Sequence, residues 1–141
     1  MTSAERDALR VQLTAHEGLR RFPYTDSVGK LTIGVGRNLT DRGITDAEAR
    51  YLLDNDILTA VGDLQALVWF PALDSVRQRV FIDLAFNLGI SRLKGFVKML
   101  DAVSRQDWPT AAAELLDSTY ATQVGQRAQT LAAMLVSGRA A

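Results

Sequence analysis

The chain has no cysteine, a single histidine, three prolines and no net charge. Without cysteine there is no disulfide frame and no thiolate metal site, and the redox compartment is left open. One histidine without a cluster makes a poor metal centre, so no metal and no cofactor is expected. Sixteen basic side chains cancel sixteen acidic ones. That balance withholds the positive field by which proteins grip phosphate backbones, and nucleic acid is not an expected partner. No run approaches the ~20 apolar residues of a membrane span, so membrane insertion is not expected either. The opening residues, "MTSAERDALRVQL", lack the apolar core of a signal peptide.

What is present reads as one domain spanning residues 1–141. Its 48% hydrophobic and 23% charged residues are ordinary for a globular fold with a sizeable core. Thr2 to Glu5 spells T-S-A-E, a capping box, and Leu9 and Leu13 follow at a helical step, which predicts a first helix from Ser3 to His16 stopped by Gly18. Between Phe22 and Val35 the pattern changes to alternation. Leu31, Ile33 and Val35 point one way, and Thr32, Gly34 and Gly36 the other. A hairpin turning through Ser27 to Lys30 is expected, with a third short strand near Leu39. After Gly43 the chain is helical. Thr45 to Glu48 opens a helix with Ala49, Leu52, Leu53, Ile57 and Val61 on its apolar face, and Pro71 interrupts. Asp74 or Ser75 caps a core helix carrying Val76, Val80, Phe81, Leu84 and Phe86. Gly89 and Gly95 bracket a short helix, Asp107 caps the next, and Gln126 to Val136 forms the last. The class is α+β: a small sheet lobe at about 18–43, and a helical lobe at about 44–141 joined by the N-terminal helix, with a cleft between.

Glu17 closes an amphipathic helix, and Asp26 follows nine residues later in the hairpin. Two carboxyls in unlike settings suit glycoside hydrolysis, in which one donates a proton to the leaving oxygen while the other stays ionised to activate water. Glu17 fits the first role because Leu9 and Leu13 share its face. Asp26, between Thr25 and Ser27, fits the second. Spacing alone is a weak signal, since most acid pairs at this separation are solvated surface charges.

The order of the whole stretch "HEGLRRFPYTDSVGKLTIGVGRNL" is more specific. Glu17-Gly18, Tyr24, Asp26, Gly29 and the run Thr32-Ile33-Gly34-Val35-Gly36 resemble the phage-type lysozymes, the glycoside hydrolase family 24 that includes the lysozyme of T-even phages. The likeness continues more weakly through "VFIDLAFNLG", "GFVKML", the Trp108 helix and "QVGQRAQ". The resemblance implies a lysozyme-like fold with Glu17 as general acid, Asp26 as the carboxylate that positions and activates water, and Thr32 as a hydroxyl holding the same water. It implies inverting hydrolysis of the β-1,4 bond between N-acetylmuramic acid and N-acetylglucosamine in bacterial peptidoglycan. It further assigns Gly36, Asn38, Phe86 and Asn87 to substrate binding, with Tyr24 and Arg127 in support.

Several of these positions have a second reading. Gly34 and Gly36 admit either close approach of a sugar or a bend in the sheet. Asn87 reads as a hydrogen-bond donor to substrate or as a helix cap. Arg127, by the resemblance, lies near the catalytic glutamate, where it fixes neighbouring carboxylates; otherwise it is a solvated arginine. Tyr120 and Trp108 read as packing aromatics rather than sugar platforms. Arg37 stands where the family often carries an ion-pairing histidine, and unlike histidine it stays charged throughout the accessible pH range. The segment Asn38 to Thr45 reads as shorter than in the T-even enzyme, without its intervening helix.

Two alternatives remain at this level: a lytic transglycosylase, which needs only the glutamate, and a peptidoglycan-binding domain without catalysis. The resemblance points to a monomeric endolysin made in the host bacterial cytoplasm. Such a protein acts on the wall in the periplasm or outside the cell after holin-dependent release.

Overall fold

The computed structural model describes residues 1–141, which fall into two compact units, Met1–Tyr51 and Leu52–Ala141. The N-terminal helix, expected with the helical lobe, groups with the sheet in the first.

In the first unit, α1 (Ser3–Glu17) begins at the capping box. Glu5 N–H donates to Thr2 Oγ1 at 3.2 Å, and the Glu5 carboxylate accepts from Thr2 N–H. The helix ends at Gly18, whose N–H reaches back to the Thr14 carbonyl. Three antiparallel strands follow in the order β1 (Arg20–Thr25), β2 (Leu31–Gly34) and β3 (Arg37–Asn38). The β1–β2 register slips between Arg20 and Tyr24. Pro23 lies in that stretch and cannot donate to a ladder, which suits it to an edge strand and an irregularity.

The strand alternation is present but inverted relative to burial. Thr32 is 4% exposed while Leu31 is 45% exposed, because the polar row is the covered one. A one-turn helix, α2 (Leu39–Arg42), corrects the expectation that no helix follows Asn38. The Asn38 side chain accepts from Asp41 N–H at 2.9 Å and so starts a turn that Gly43 closes.

α3 (Asp46–Gln65) carries the chain from the first unit into the second. It buries only Ala60 and Leu64. Leu52, Leu53 and Ile57, expected on a covered face, are exposed. The reason lies in composition: acidic residues at Asp54, Asp56 and Asp63 are spread around the helix, leaving no wide apolar stripe.

The second unit holds the hydrophobic core. α4 (Ser75–Leu88) is capped by Asp74, which accepts from Arg77 N–H at 3.0 Å. It buries Val80, Phe81, Leu84, Ala85 and Leu88. Phe86, read as a core position, is 46% exposed, because it falls on the helix face opposite Leu84 and Leu88. α5 (Ile90–Lys94) and α6 (Val97–Ser104) follow, then α7 (Trp108–Leu116), α8 (Thr119–Val124) and α9 (Gln126–Ser137). α9 buries as many residues as α4: Ala128, Leu131, Ala132, Met134 and Leu135. Each fully buried Leu or Phe contributes roughly 1.5–3 kcal/mol.

Candidate active site

Glu17 is the last residue of α1 and is exposed. The apolar setting expected around it is absent, since α1 has no buried residue and Leu13 is 44% exposed. What meets the Glu17 side chain is the backbone of Gly36. A β-carbon on residue 36 would sit 2.9 Å from Glu17 Oε2 and 3.0 Å from its Cδ, and Gly36 has φ +69°. Both readings of this glycine therefore share one steric fact: the β2–β3 turn bends there, and bends against the glutamate.

Asp26 stands at the end of β1, half-buried. Its Oδ1 accepts from Val28 N–H at 2.9 Å and Lys30 N–H at 2.8 Å, an Asx turn that shapes the hairpin. Its own N–H donates to the Lys30 carbonyl at 2.9 Å. The same carbonyl accepts from Thr32 Oγ1 at 3.0 Å. Asp26 and Thr32 are thus both fastened to one residue. This leaves Asp26 Oδ2 outside the turn and leaves the acceptor lone pairs of Thr32 Oγ1 uncommitted by that bond.

Strand pairing extends the arrangement. Tyr24 lies opposite Thr32, and Thr32 opposite Asn38, so three of the residues singled out from sequence form one cross-strand row. Arg20 stacks on Tyr24 with its guanidinium 4.3 Å from the ring centre. The Asn38 amide is engaged at both ends, accepting from Asp41 N–H and donating to Asp41 Oδ2, each at 2.9 Å. Arg37 pairs with Glu48 at 2.6 Å and also donates to the Gly43 carbonyl at 3.3 Å. Chiefly through that hydrogen bond, Arg37 holds the Glu48 carboxyl below the usual glutamate value.

The remaining expected residues lie in the second unit. Phe86 lines a groove of about 440 Å³ with Leu53, Ile57, Ile82, Asp83 and Arg127. Asn87 is exposed and is not a cap, because Gly89 closes α4 by donating to the Ala85 carbonyl. Arg127 grips Asp83, with Nε and Nη2 at 2.9 and 2.7 Å from Oδ1. Asp83 was not anticipated. The signal was there: a lone carboxylate inside the apolar run "VFIDLAF", one turn before Phe86. Lys30 was missed as well, because it acts through its backbone.

A family model described as phage lysozyme matches residues 14–139, which include every one of these positions. The chain is 24% identical to "Probable T4-type lysozyme 2" of Dictyostelium discoideum, over 93% of this chain and 95% of that protein. It is 23% identical to "Probable T4-type lysozyme 1" of the same organism, over 98% and 96%. It is also 28% identical to the "Pre-baseplate central spike protein Gp5" of Enterobacteria phage T4, over 89% of this chain but only 27% of the spike protein.

Proposed function

Because the chain belongs to the phage lysozyme family, a family of peptidoglycan-degrading glycosidases, we propose that it is an inverting muramidase using Glu17, Asp26 and Thr32. The observation that carries this reading is the common attachment of Asp26 and Thr32 to Lys30. A water placed between Asp26 Oδ2 and Thr32 Oγ1 donates one proton to each. Its lone pair is then turned outward, toward an anomeric carbon. Asp26 takes up the proton that water loses on attack, and Glu17 gives its proton to the departing sugar oxygen. Inversion asks for about 6.5–9.5 Å between the two carboxyls, so that the water fits between base and sugar. Gly36 and the Tyr24–Thr32–Asn38 row shape the sugar's approach to this site. On the second unit we assign Phe86 and Asn87 to glycan binding and Arg127, paired with Asp83, to a supporting role.

Product analysis on purified peptidoglycan tests the reading. Wild type is expected to release fragments with hydrated reducing ends, and Glu17→Gln to release almost none. Anhydro ends would assign the chemistry to a transglycosylase, which has no use for the Asp26–Thr32 water position. Wall binding with no soluble product from wild type would mark a binding domain. By the family resemblance, we propose that the wall is reached through a holin-type lesion. Expression in a bacterial host with and without membrane permeabilisation checks this, with lysis expected only in the first case.

A further inference from the structure

A cavity of about 310 Å³ on the second unit shares no residue with the candidate active site. Trp69, Asp74, Arg77, Ser104, Gln106 and Trp108 line it. They include both tryptophans of the chain; each is half-buried and packs on the core with part of its surface, Trp69 edge-on against Phe81 at 4.7 Å between ring centres. Its size sits at the lower end of small-molecule sites, roughly 300–1,000 Å³.

The charge of the cavity is neutral and already fixed. Arg77 donates Nε to the Leu135 carbonyl at 2.8 Å, Nη2 to the Val136 carbonyl at 3.2 Å and Nη1 to Asp74 Oδ2 at 2.8 Å. Its guanidinium also lies 4.1 Å over the Trp108 ring. A cation so occupied forms a wall and does not recruit an anion. Aromatic surface beside neutral hydrogen-bonding groups matches a saccharide, whose rings present apolar C–H faces and hydroxyl or acetamido edges.

Gln106 supplies a second, separate argument. Gln106 N–H donates to the Val103 carbonyl and Asp107 N–H to the Ala102 carbonyl, each at 2.9 Å. This bond pattern ends α6 in a Schellman turn, with Gln106 at the left-handed position. Its φ is +56°. All eight other positive-φ residues of the chain are glycine, the residue that takes this conformation without strain. Gln106 alone keeps a side chain at such a position, and that exposed side chain lines the cavity. The strain comes from the β-carbon, so its retention where glycine would be free of it fits a use for the amide that this carbon carries.

We propose that this cavity is a second, non-catalytic saccharide site that takes an N-acetylhexosamine ring against Trp69 and Trp108, with the Gln106 amide as its hydrogen-bonding arm. The choice of sugar rests on the peptidoglycan reading; saccharide binding at the cavity does not.

Because both tryptophans line the cavity, their fluorescence reports on it directly. Titration of the full chain with tri-N-acetylchitotriose is expected to give a saturable change, equally in wild type and in Glu17→Gln. Gln106→Gly is expected to raise Tm by roughly 2 °C through relief of strain. The same change weakens binding about tenfold through loss of the amide. No saturable change in wild type, equal affinity in Gln106→Gly, or a lowered Tm in that variant would each overturn the proposal. Turnover of peptidoglycan, measured separately, decides the muramidase reading without bearing on this one.

Discussion

The carboxylate of Glu17 fills the space that a side chain on Gly36 would need, with Oε2 2.9 Å from where the β-carbon would lie. Gly34 has the same φ of +69° but nothing within 4 Å of its β-carbon position. The two glycines therefore separate backbone strain from displacement of the glutamate. Gly36→Ala and Gly34→Ala should each lose about 1–2 kcal/mol of stability from the left-handed conformation. Only Gly36→Ala should also lose wall-clearing activity, by about a hundredfold, since a shift near 1 Å at a reacting group costs on that order. Parallel melting and turbidity assays check this, and equal activity losses in the two variants would count against Glu17 as the acid.

Asp26 has two duties that substitution can divide. Oδ1 holds the hairpin through Val28 and Lys30, and Oδ2 is assigned to the water. Asp26→Asn keeps an acceptor oxygen for the turn but removes the base. Its Tm should stay within about 1 °C of wild type while kcat falls by roughly 10²–10⁴. Asp26→Ala should lose the same activity and in addition about 1 kcal/mol of stability, the worth of a local capping interaction. An Asp26→Asn enzyme with near wild-type turnover would remove Asp26 from the mechanism.

The parts legible in the sequence are those in which the physics is local. The T-S-A-E box binds within four residues, and the structure closes it as read. Glu17, Asp26 and Thr32 could be proposed from the sequence because their order and spacing form one motif. Alternation alone would bury Leu31, whereas the covered row holds Thr32. α2 was hidden because it is a single turn started by an asparagine side chain, and α6 because Phe96 opens it with no side-chain cap. Asp83 escaped notice because its partner Arg127 is 44 residues away, a separation that no periodicity reports. Arg37 stands where the family often carries an ion-pairing histidine, and here it pairs with Glu48.

That pair makes a pH prediction with a definite sign. Arg37 lowers the folded-state value of Glu48 below its unfolded value. The contribution is therefore complete above the ordinary glutamate range, about 4.3, and is lost as pH falls through the lowered folded value. Glu48→Gln should melt below wild type at neutral pH, with the gap narrowing in acid. Arg37→His should reverse the dependence on the other side. A histidine gaining Glu48 as partner has a raised folded value, so its contribution is present below about 6.5 and lost as pH rises past the raised value. Melting curves between acid and neutral pH on the three proteins check both limbs.

Tyr120 gives the last test. It is 2% exposed, and its hydroxyl has no hydrogen-bond partner. Burial pushes the phenol above the ordinary tyrosine value; Asp83 adds to the shift and Arg127 opposes it. An unpaired buried hydroxyl costs stability, and its removal at constant shape is neutral or favourable. Tyr120→Phe should therefore keep or raise Tm at neutral pH. On the alkaline side the sign follows from linkage: above about pH 10 the unfolded chain releases the phenolic proton while the folded chain retains it, so wild-type stability falls as pH rises. Tyr120→Phe should lack that fall, and an ultraviolet titration should lose the step that lies above the ordinary tyrosine value. A Tm several degrees below wild type at neutral pH would contradict the reading of the hydroxyl as unpaired.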